Sequence, residues 1–222
     1  MKAASLLVSE VWGFVRDSTP ERRRSRYGDM DYDWEHHVNT TSGTVGWRDR
    51  LLGIFHSPYM PTDPAEFREM MAALSVDFSK FTFIDIGSGK GRTLLMASEY
   101  PFRRIVGVEI LPEFDRAARE NIRSYNSATQ RCSKIESVRA DGLDFALPHD
   151  PLVLYLFNPL PEAALREFVQ GIERSLAQSP RPLWLIYHTP LLDSVVATSR
   201  SLKKEATTPQ YSLYRSQTAD EP

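Results

Sequence analysis

A single cysteine, Cys132, stands among 222 residues, so no intrachain disulfide can form, and no Cys/His cluster has the spacing of a zinc site. A reducing cytosol is the compartment this suggests. Nowhere does an apolar run approach the ~18 residues of a membrane span. Glu10 interrupts the first apolar stretch, and the cleavage pattern of a secretory signal is missing. A formal net charge of −2 gives no global attraction to DNA or RNA. The one basic run, Arg22-Arg23-Arg24-Ser25-Arg26, is followed at once by Asp29, Asp31, Asp33 and Glu35, which offset it. Internal repeats and low-complexity segments are also missing. With 41% hydrophobic and 25% charged residues, wholesale disorder is excluded. The expectation is a soluble cytoplasmic protein, one large domain with an appendage, with no strong nucleic-acid signal and no membrane.

What is there concentrates in residues 81–92, Phe-Thr-Phe-Ile-Asp-Ile-Gly-Ser-Gly-Lys-Gly-Arg. Phe81, Phe83, Ile84 and Ile86 read as a strand buried on both faces, as in a parallel sheet under helices. Gly87, Gly89 and Gly91 then make a turn without Cβ atoms, against which a ligand can lie, and Thr93–Ser98 opens a helix. A Walker phosphate cradle needs Gly-Lys-Ser/Thr at its end, and Lys90 is followed by Gly91 instead. A dinucleotide fingerprint is spaced Gly-x-Gly-x-x-Gly, and here Asp85 would meet the pyrophosphate. A ligand with a cationic aminoacyl end suits that acid better.

Asp85-Ile-Gly-Ser-Gly-Lys-Gly91 resembles motif I of the class I S-adenosylmethionine (SAM) dependent methyltransferases. The resemblance implies an α/β fold, a doubly wound, mostly parallel seven-strand Rossmann-like sheet, with SAM as cofactor and S-adenosylhomocysteine (SAH) as product. It places Gly87, Ser88, Gly89 and Gly91 against the aminoacyl and ribose portions, with Asp85 ordering the amino group directly or through water. The second buried strand, Arg104–Ile110, ends in Glu109, 24 residues beyond Asp85. A carboxylate there accepts two hydrogen bonds from a ribose diol. Pro112 then starts a helix carrying Phe114, Ala117, Ala118, Asn121 and Ile122.

A third unit spans residues 134–147, with Ile135 and Val138 in its strand. The resemblance gives Asp141 the adenine amino group, with Asp144 second. Asp141 equally suits a cap on the short turn after it. The fourth unit, Pro-Leu-Val-Leu-Tyr-Leu-Phe-Asn-Pro-Leu-Pro from 151 to 161, ends a central strand at Asn158, at the sheet's carboxyl edge. Asn158-Pro159 is similar to the Asn/Asp-Pro-Pro-aromatic motif of amino-methylating enzymes, with Leu160 and Pro161 in place of its last two residues. That implies Asn158 orients the acceptor. Leu165, Phe168, Val169, Ile172 and Leu176 then mark a covering helix over residues 162–178. A fifth strand follows at 182–187, and residues 201–204 pair with 211–214 in a closing hairpin.

The resemblance implies a division into residues 1–75, a helical extension or lid before the first strand, and residues 76–222, a SAM-binding domain. Leu7, Val11, Phe14 and Val15 mark a first helix. Tyr59-Met-Pro-Thr62 leads into a helix over 63–74, with Thr62 or Asp63 as its cap and Pro64 in its first turn. That lead-in is similar to the one of seven-strand protein-lysine methyltransferases, implying Tyr59 and Thr62 as cofactor contacts. Asp33-Trp34 and Val38-Asn39-Thr40 resemble an N-terminal pattern of poorly characterised bacterial members. The resemblance runs over residues 27–216.

Methyl transfer needs an aligned nucleophile, exclusion of water and, for a hydroxyl, a base. His188 and Tyr187 stand near the expected edge but suit a structural role better, and His36 and His37 are weaker still. The function expected is methyl transfer from SAM to a nitrogen acceptor first, an oxygen second, on a small molecule or protein side chain. Two other readings are a catalytically silent SAM-binding module that recruits a partner, and an NAD-dependent oxidoreductase, which the glycine spacing and Asp85 oppose.

Overall fold

The computed structural model describes residues 30–41, 60–157 and 160–217. The expected first helix, the Arg22–Arg26 run, Tyr59 and Asn158 lie outside the described residues. The five strands expected from the sequence before the closing hairpin form as β1 Thr82–Ile86, β2 Arg104–Glu109, β3 Ile135–Arg139, β4 Leu152–Phe157 and β5 Leu183–His188. A hairpin of β6 Leu202–Thr207 and β7 Tyr211–Ser216 closes the sheet. The seven strands lie in the order β3-β2-β1-β4-β5-β7-β6. The first five pair in parallel, and β7 runs antiparallel to both β5 and β6. β6 forms one edge, and its run Lys203-Lys204-Glu205 is exposed, as suits a strand that must not recruit another chain.

Helices cover both faces. Among the described residues they are α1 Met30–His36, α2 Pro64–Ala72, α3 Arg92–Ala97, α4 Pro112–Ser124, α5 Glu162–Gln178 and α6 Asp193–Val196. The three- and four-residue steps of α5 bury Leu165, Phe168, Val169, Ile172 and Leu176 against Ile84, Val106, Leu154 and Leu185. Each such side chain contributes ~1.5–3 kcal/mol on leaving water. The opposite face of the sheet, carrying Phe83, Ile105, Val153 and Ile186, meets Phe67, Met70 and Met71 of α2 and Leu94 and Leu95 of α3.

Because side chains alternate across a strand, that second face also carries Asp85 two residues beyond Phe83, Glu109 beyond Ile105 and Gly107, and Tyr155 beyond Val153. Parallel pairing sets Asp85 abreast of Gly107 on one side and of Tyr155 on the other. Phe157 stands abreast of His188. The strand ends thus bring acids, a tyrosine and a histidine to the carboxyl edge of one face.

The fold follows the expected class, with local corrections. The helix after the glycines starts at Arg92 rather than Thr93, and the fifth strand runs through His188. Asp63, not Thr62, caps α2: its Oδ1 accepts from the amides of Ala65 at 2.7 Å and Glu66 at 3.2 Å. The helix also ends at Ala72, two residues short of the expected Leu74. Met70 and Met71 complete its buried face, and Ala73 and Leu74 close the end with bonds to Glu69 O and Met71 O.

Candidate functional site

Gly87, Gly89 and Gly91 adopt φ of 77°, 54° and 84°, the left-handed region that side chains avoid. The bend they make is tied to the end of β2. Val108 O accepts from the amides of Gly87 at 2.9 Å and Ser88 at 3.1 Å, and Ser88 O from that of Gly91 at 2.9 Å. Glu109 Oε2 accepts from the amide of Gly89 at 2.8 Å. These amides are turned inward, so the bend is not an anion nest. Gly107 lets it sit close, since a Cβ there would lie 2.6 Å from both Leu94 Cδ1 and Ser88 Oγ.

Asp85 is 2% exposed. The Thr93 hydroxyl donates to its Oδ2, while Oδ1 is buried with no partner among the described residues. Burial, and then the nearby Glu109 carboxylate, push its pKa up to about 7. Ser88 Oγ is likewise buried and unpaired among the described residues. Glu109 accepts from Gly89 and, through Oε1, from the amide of Leu111 at 2.8 Å. Burial raises its pKa, and those backbone donors oppose the rise. A carboxylate has about four lone-pair sites, so acceptor capacity remains. Asp141 Oδ1 accepts from the amide of Leu143 at 2.9 Å, the capping role. Gly142 crosses so close to β1 that a Cβ would lie 2.6 Å from Ile86 Cγ2.

The segment from Asp33 to Thr41 is fastened over the same loop. Arg92, 3% exposed, donates through Nε to Thr40 Oγ1 at 2.6 Å, and through one terminal nitrogen to Thr41 Oγ1 at 2.7 Å and Asp33 Oδ1 at 3.2 Å. Its guanidinium also lies 4.8 Å over the Tyr32 ring. Asp33 Oδ2 accepts from the amides of Thr40 and Thr41, each at 2.7 Å. The Thr40 hydroxyl donates to Asp33 Oδ1 as well, and although burial raises the Asp33 pKa, the hydroxyls and amides of Thr40 and Thr41 outweigh it and hold the group low. Lys90 Nζ donates to Asn39 Oδ1 at 3.1 Å. Asn121 of α4 links all three pieces, accepting from the amide of Asn39 at 2.8 Å and donating to Asn39 O and Lys90 O, each at 3.0 Å.

Thr62, buried, shares a 2.8 Å hydrogen bond with Tyr155 Oη. Tyr155 Oη lies 2.6 Å from His188 Nδ1, and His188 Nε2 lies 3.1 Å from Glu66 Oε2. Burial lowers the His188 pKa to about 4 and raises that of Tyr155 well above the usual phenol range. His188 is therefore a neutral, hydrogen-bonded residue whose ring centre lies 4.0 Å from that of Phe157, tilted by 32°.

The structure thus gathers Asp85, the three glycines, Ser88, Glu109, Asp141 and Thr62 around the carboxyl edge of β1 and its neighbours. Sequence reasoning missed Arg92, Asn121, Tyr155 and Glu66. The only local signal was a charged residue heading an apolar helix and a tyrosine inside an apolar strand. Among the described residues no group of three or more His, Cys, Asp or Glu side chains is placed to hold a metal.

No family model and no curated protein matches the chain. Solved structures share its fold. An RNA methyltransferase from Salinibacter ruber, in complex with SAH, is 19% identical over 73% of this chain and 96% of its own, with a TM-score of 0.50. A precorrin-6y C5,15-methyltransferase from Geobacter metallireducens is 17% identical over 73% and 93%, at 0.52. A predicted N6-adenine-specific DNA methylase from Listeria monocytogenes is 14% identical over 72% of this chain and 52% of its own, so the match spans about half of that protein. At these identities the likeness defines a Rossmann-like methyltransferase fold.

Proposed function

We propose that the chain is a SAM-dependent methyltransferase. One observation carries this reading: on a sheet of this order, the glycine bend turns the amides of Gly87, Ser88, Gly89 and Gly91 inward and sets beside it a buried carboxylate oxygen of Asp85 that has no partner among the described residues. A phosphate ligand would need those amides facing outward and would be repelled by the acid. A cationic aminoacyl group fits both.

When bound, SAM supplies an electrophilic methyl on a positively charged sulfur. Asp85 Oδ1 accepts from the amino group, and the bare glycine backbone lets the chain of the ligand lie close. The remaining acceptor sites of Glu109 take the ribose hydroxyls, and Asp141 the adenine amino group. Thr62 and Tyr59 contact the methionine portion. Asn158 orients the acceptor. With His188 neutral and both its nitrogens engaged, no strong base faces the acceptor from this residue, which favours an amine arriving neutral over a hydroxyl.

The acceptor is a small molecule, a protein side chain or a nucleic acid. The last enters because RNA and DNA enzymes are among the proteins of similar fold. Among the described residues no helix is long and apolar enough to cross a membrane. Calorimetry with SAM and SAH tests binding, and labelled-methyl transfer into lysate fractions of protein, nucleic acid and small molecules sorts the acceptor. Absence of SAM and SAH binding refutes the reading, and protection from heat by NAD alone replaces it with the oxidoreductase. Binding without transfer to any fraction supports the silent module, for which the substitution of Leu160 and Pro161 in the Asn158 motif speaks. Asn158→Ala should lower turnover more than SAM affinity.

A further inference from the structure

The contacts Glu66–His188–Tyr155–Thr62 join α2 to β5, β4 and the lead-in before α2, across a sequence separation of 122 residues between Glu66 and His188. His188 and Tyr155 are buried, while the Glu66 side chain is 42% exposed, and contact with water supports its ionised form although partial burial, then the Asp63 and Glu69 carboxylates, raise its pKa. An ionised carboxylate only accepts hydrogen bonds. The proton of the neutral imidazole therefore sits on Nε2 and points at Glu66. That leaves Nδ1 bare, and it can only accept, so the Tyr155 hydroxyl donates to it. The Tyr155 oxygen in turn accepts from Thr62. Every hydrogen of the chain runs toward Glu66.

The consequence falls on Thr62. Its one hydrogen is committed to Tyr155, so toward anything else its hydroxyl oxygen acts as an acceptor. Tyr155 stands abreast of Asp85 on the same face of the sheet, and Asp85 Oδ1 is an acceptor there with no partner among the described residues. We infer that Glu66, His188 and Tyr155 are positioning residues: their one-way hydrogen-bond chain fixes Thr62 as a second acceptor, beside Asp85, for the cationic aminoacyl end of the cofactor. This rests on the reading of the site as a SAM site. A purely structural role, tying α2 to the sheet, predicts something different, because it does not require the hydrogens to run one way.

Two measurements separate the roles. Nitrogen-15 spectra of the full chain at neutral pH, with His188 assigned by its loss in His188→Asn, should show the Nε2–H tautomer. The Nδ1–H tautomer would reverse the chain and overturn the inference. SAM and SAH calorimetry should then show Thr62→Val and Tyr155→Phe each weakening binding about 10- to 100-fold, the worth of a hydrogen bond to a charged group. Thr62→Ser should restore near wild-type affinity, and the double variant Thr62→Val/Tyr155→Phe should be no weaker than Thr62→Val alone, since Tyr155 acts through Thr62. Tight binding by Thr62→Val, or additive losses in the double variant, refutes the relay while leaving the SAM site standing. If the wild-type protein binds neither SAM nor SAH, the functional reading falls and the relay with it.

Discussion

Asp85→Asn should make the ligand-free protein more stable while abolishing SAM binding, with a gain that depends on pH. The Asp85 carboxyl is raised from 3.8 to about 7 in the folded protein. Folding thus disfavours its ionised form by roughly 3 pH units, at ~1.4 kcal/mol each, or on the order of 4 kcal/mol. The sign follows from where the proton sits. Below about pH 4 the group is protonated whether folded or unfolded, and the cost vanishes. It grows through the window from about 4 to 7 and is complete above it. The Asn amide oxygen retains the hydrogen bond from Thr93, and the variant carries no charge to desolvate. Its extra amide donor needs an acceptor, so the 4 kcal/mol is an upper bound. For a chain of this size the gain at pH 8 is at most ~8–15 °C in Tm. Urea denaturation of both proteins from pH 4 to pH 8, without ligand, measures the gap. A gap that stays flat with pH, or a variant less stable than wild type at pH 8, refutes the claim that a buried ionised carboxylate is held there.

The other perturbations act on the glycine bend and its clamp. Gly89→Val places a β-branched side chain at φ 54°, a strain of ~1–3 kcal/mol. Circular dichroism should report an intact fold and calorimetry no SAM binding, and unchanged affinity would remove the bend from the site. Glu109→Ala should weaken SAM binding by ~1.5–3 kcal/mol and speed hydrogen exchange at Gly89 and Leu111, whose amides lose their acceptor. A negligible effect on affinity would move the ribose contact elsewhere. Arg92→Gln breaks a buried ion pair with Asp33 and should destabilise by ~3–5 kcal/mol. Exchange should rise across residues 31–41, and protection unchanged there would refute the clamp.

Much of this architecture was legible in the chain because burial and periodicity are local signals. The apolar runs of β1 and β4 could only be strands covered on both sides, and the steps of α5 matched its buried stripe residue for residue. Alternate glycines after an acid announced a bend at a strand end, and Glu109 a second acid one unit later. The pairings between these elements were not legible. Arg92 meets Asp33 across 59 positions and His188 meets Glu66 across 122, and no pattern of spacing encodes such partners. The histidine shows this most plainly. In sequence it is a polar residue closing a strand, and only the fold reveals that both its nitrogens are spoken for. Thr62 and Asp63 were interchangeable as caps for a similar reason: either hydroxyl or carboxylate suits a helix start, and Tyr155 on a distant strand decided between them.

The clamp around Arg92 also bears on how small this protein can be made. Cutting the chain back to the strands and their covering helices would uncover the Arg92 guanidinium and strip it of Asp33, Thr40, Thr41 and the Tyr32 ring. Water would then compete for its donors, and the start of α3 that carries it would lose a tether. The curve of backbone between β1 and α3 would lose that support, so the shortest chain expected to hold its shape reaches back to Asp33.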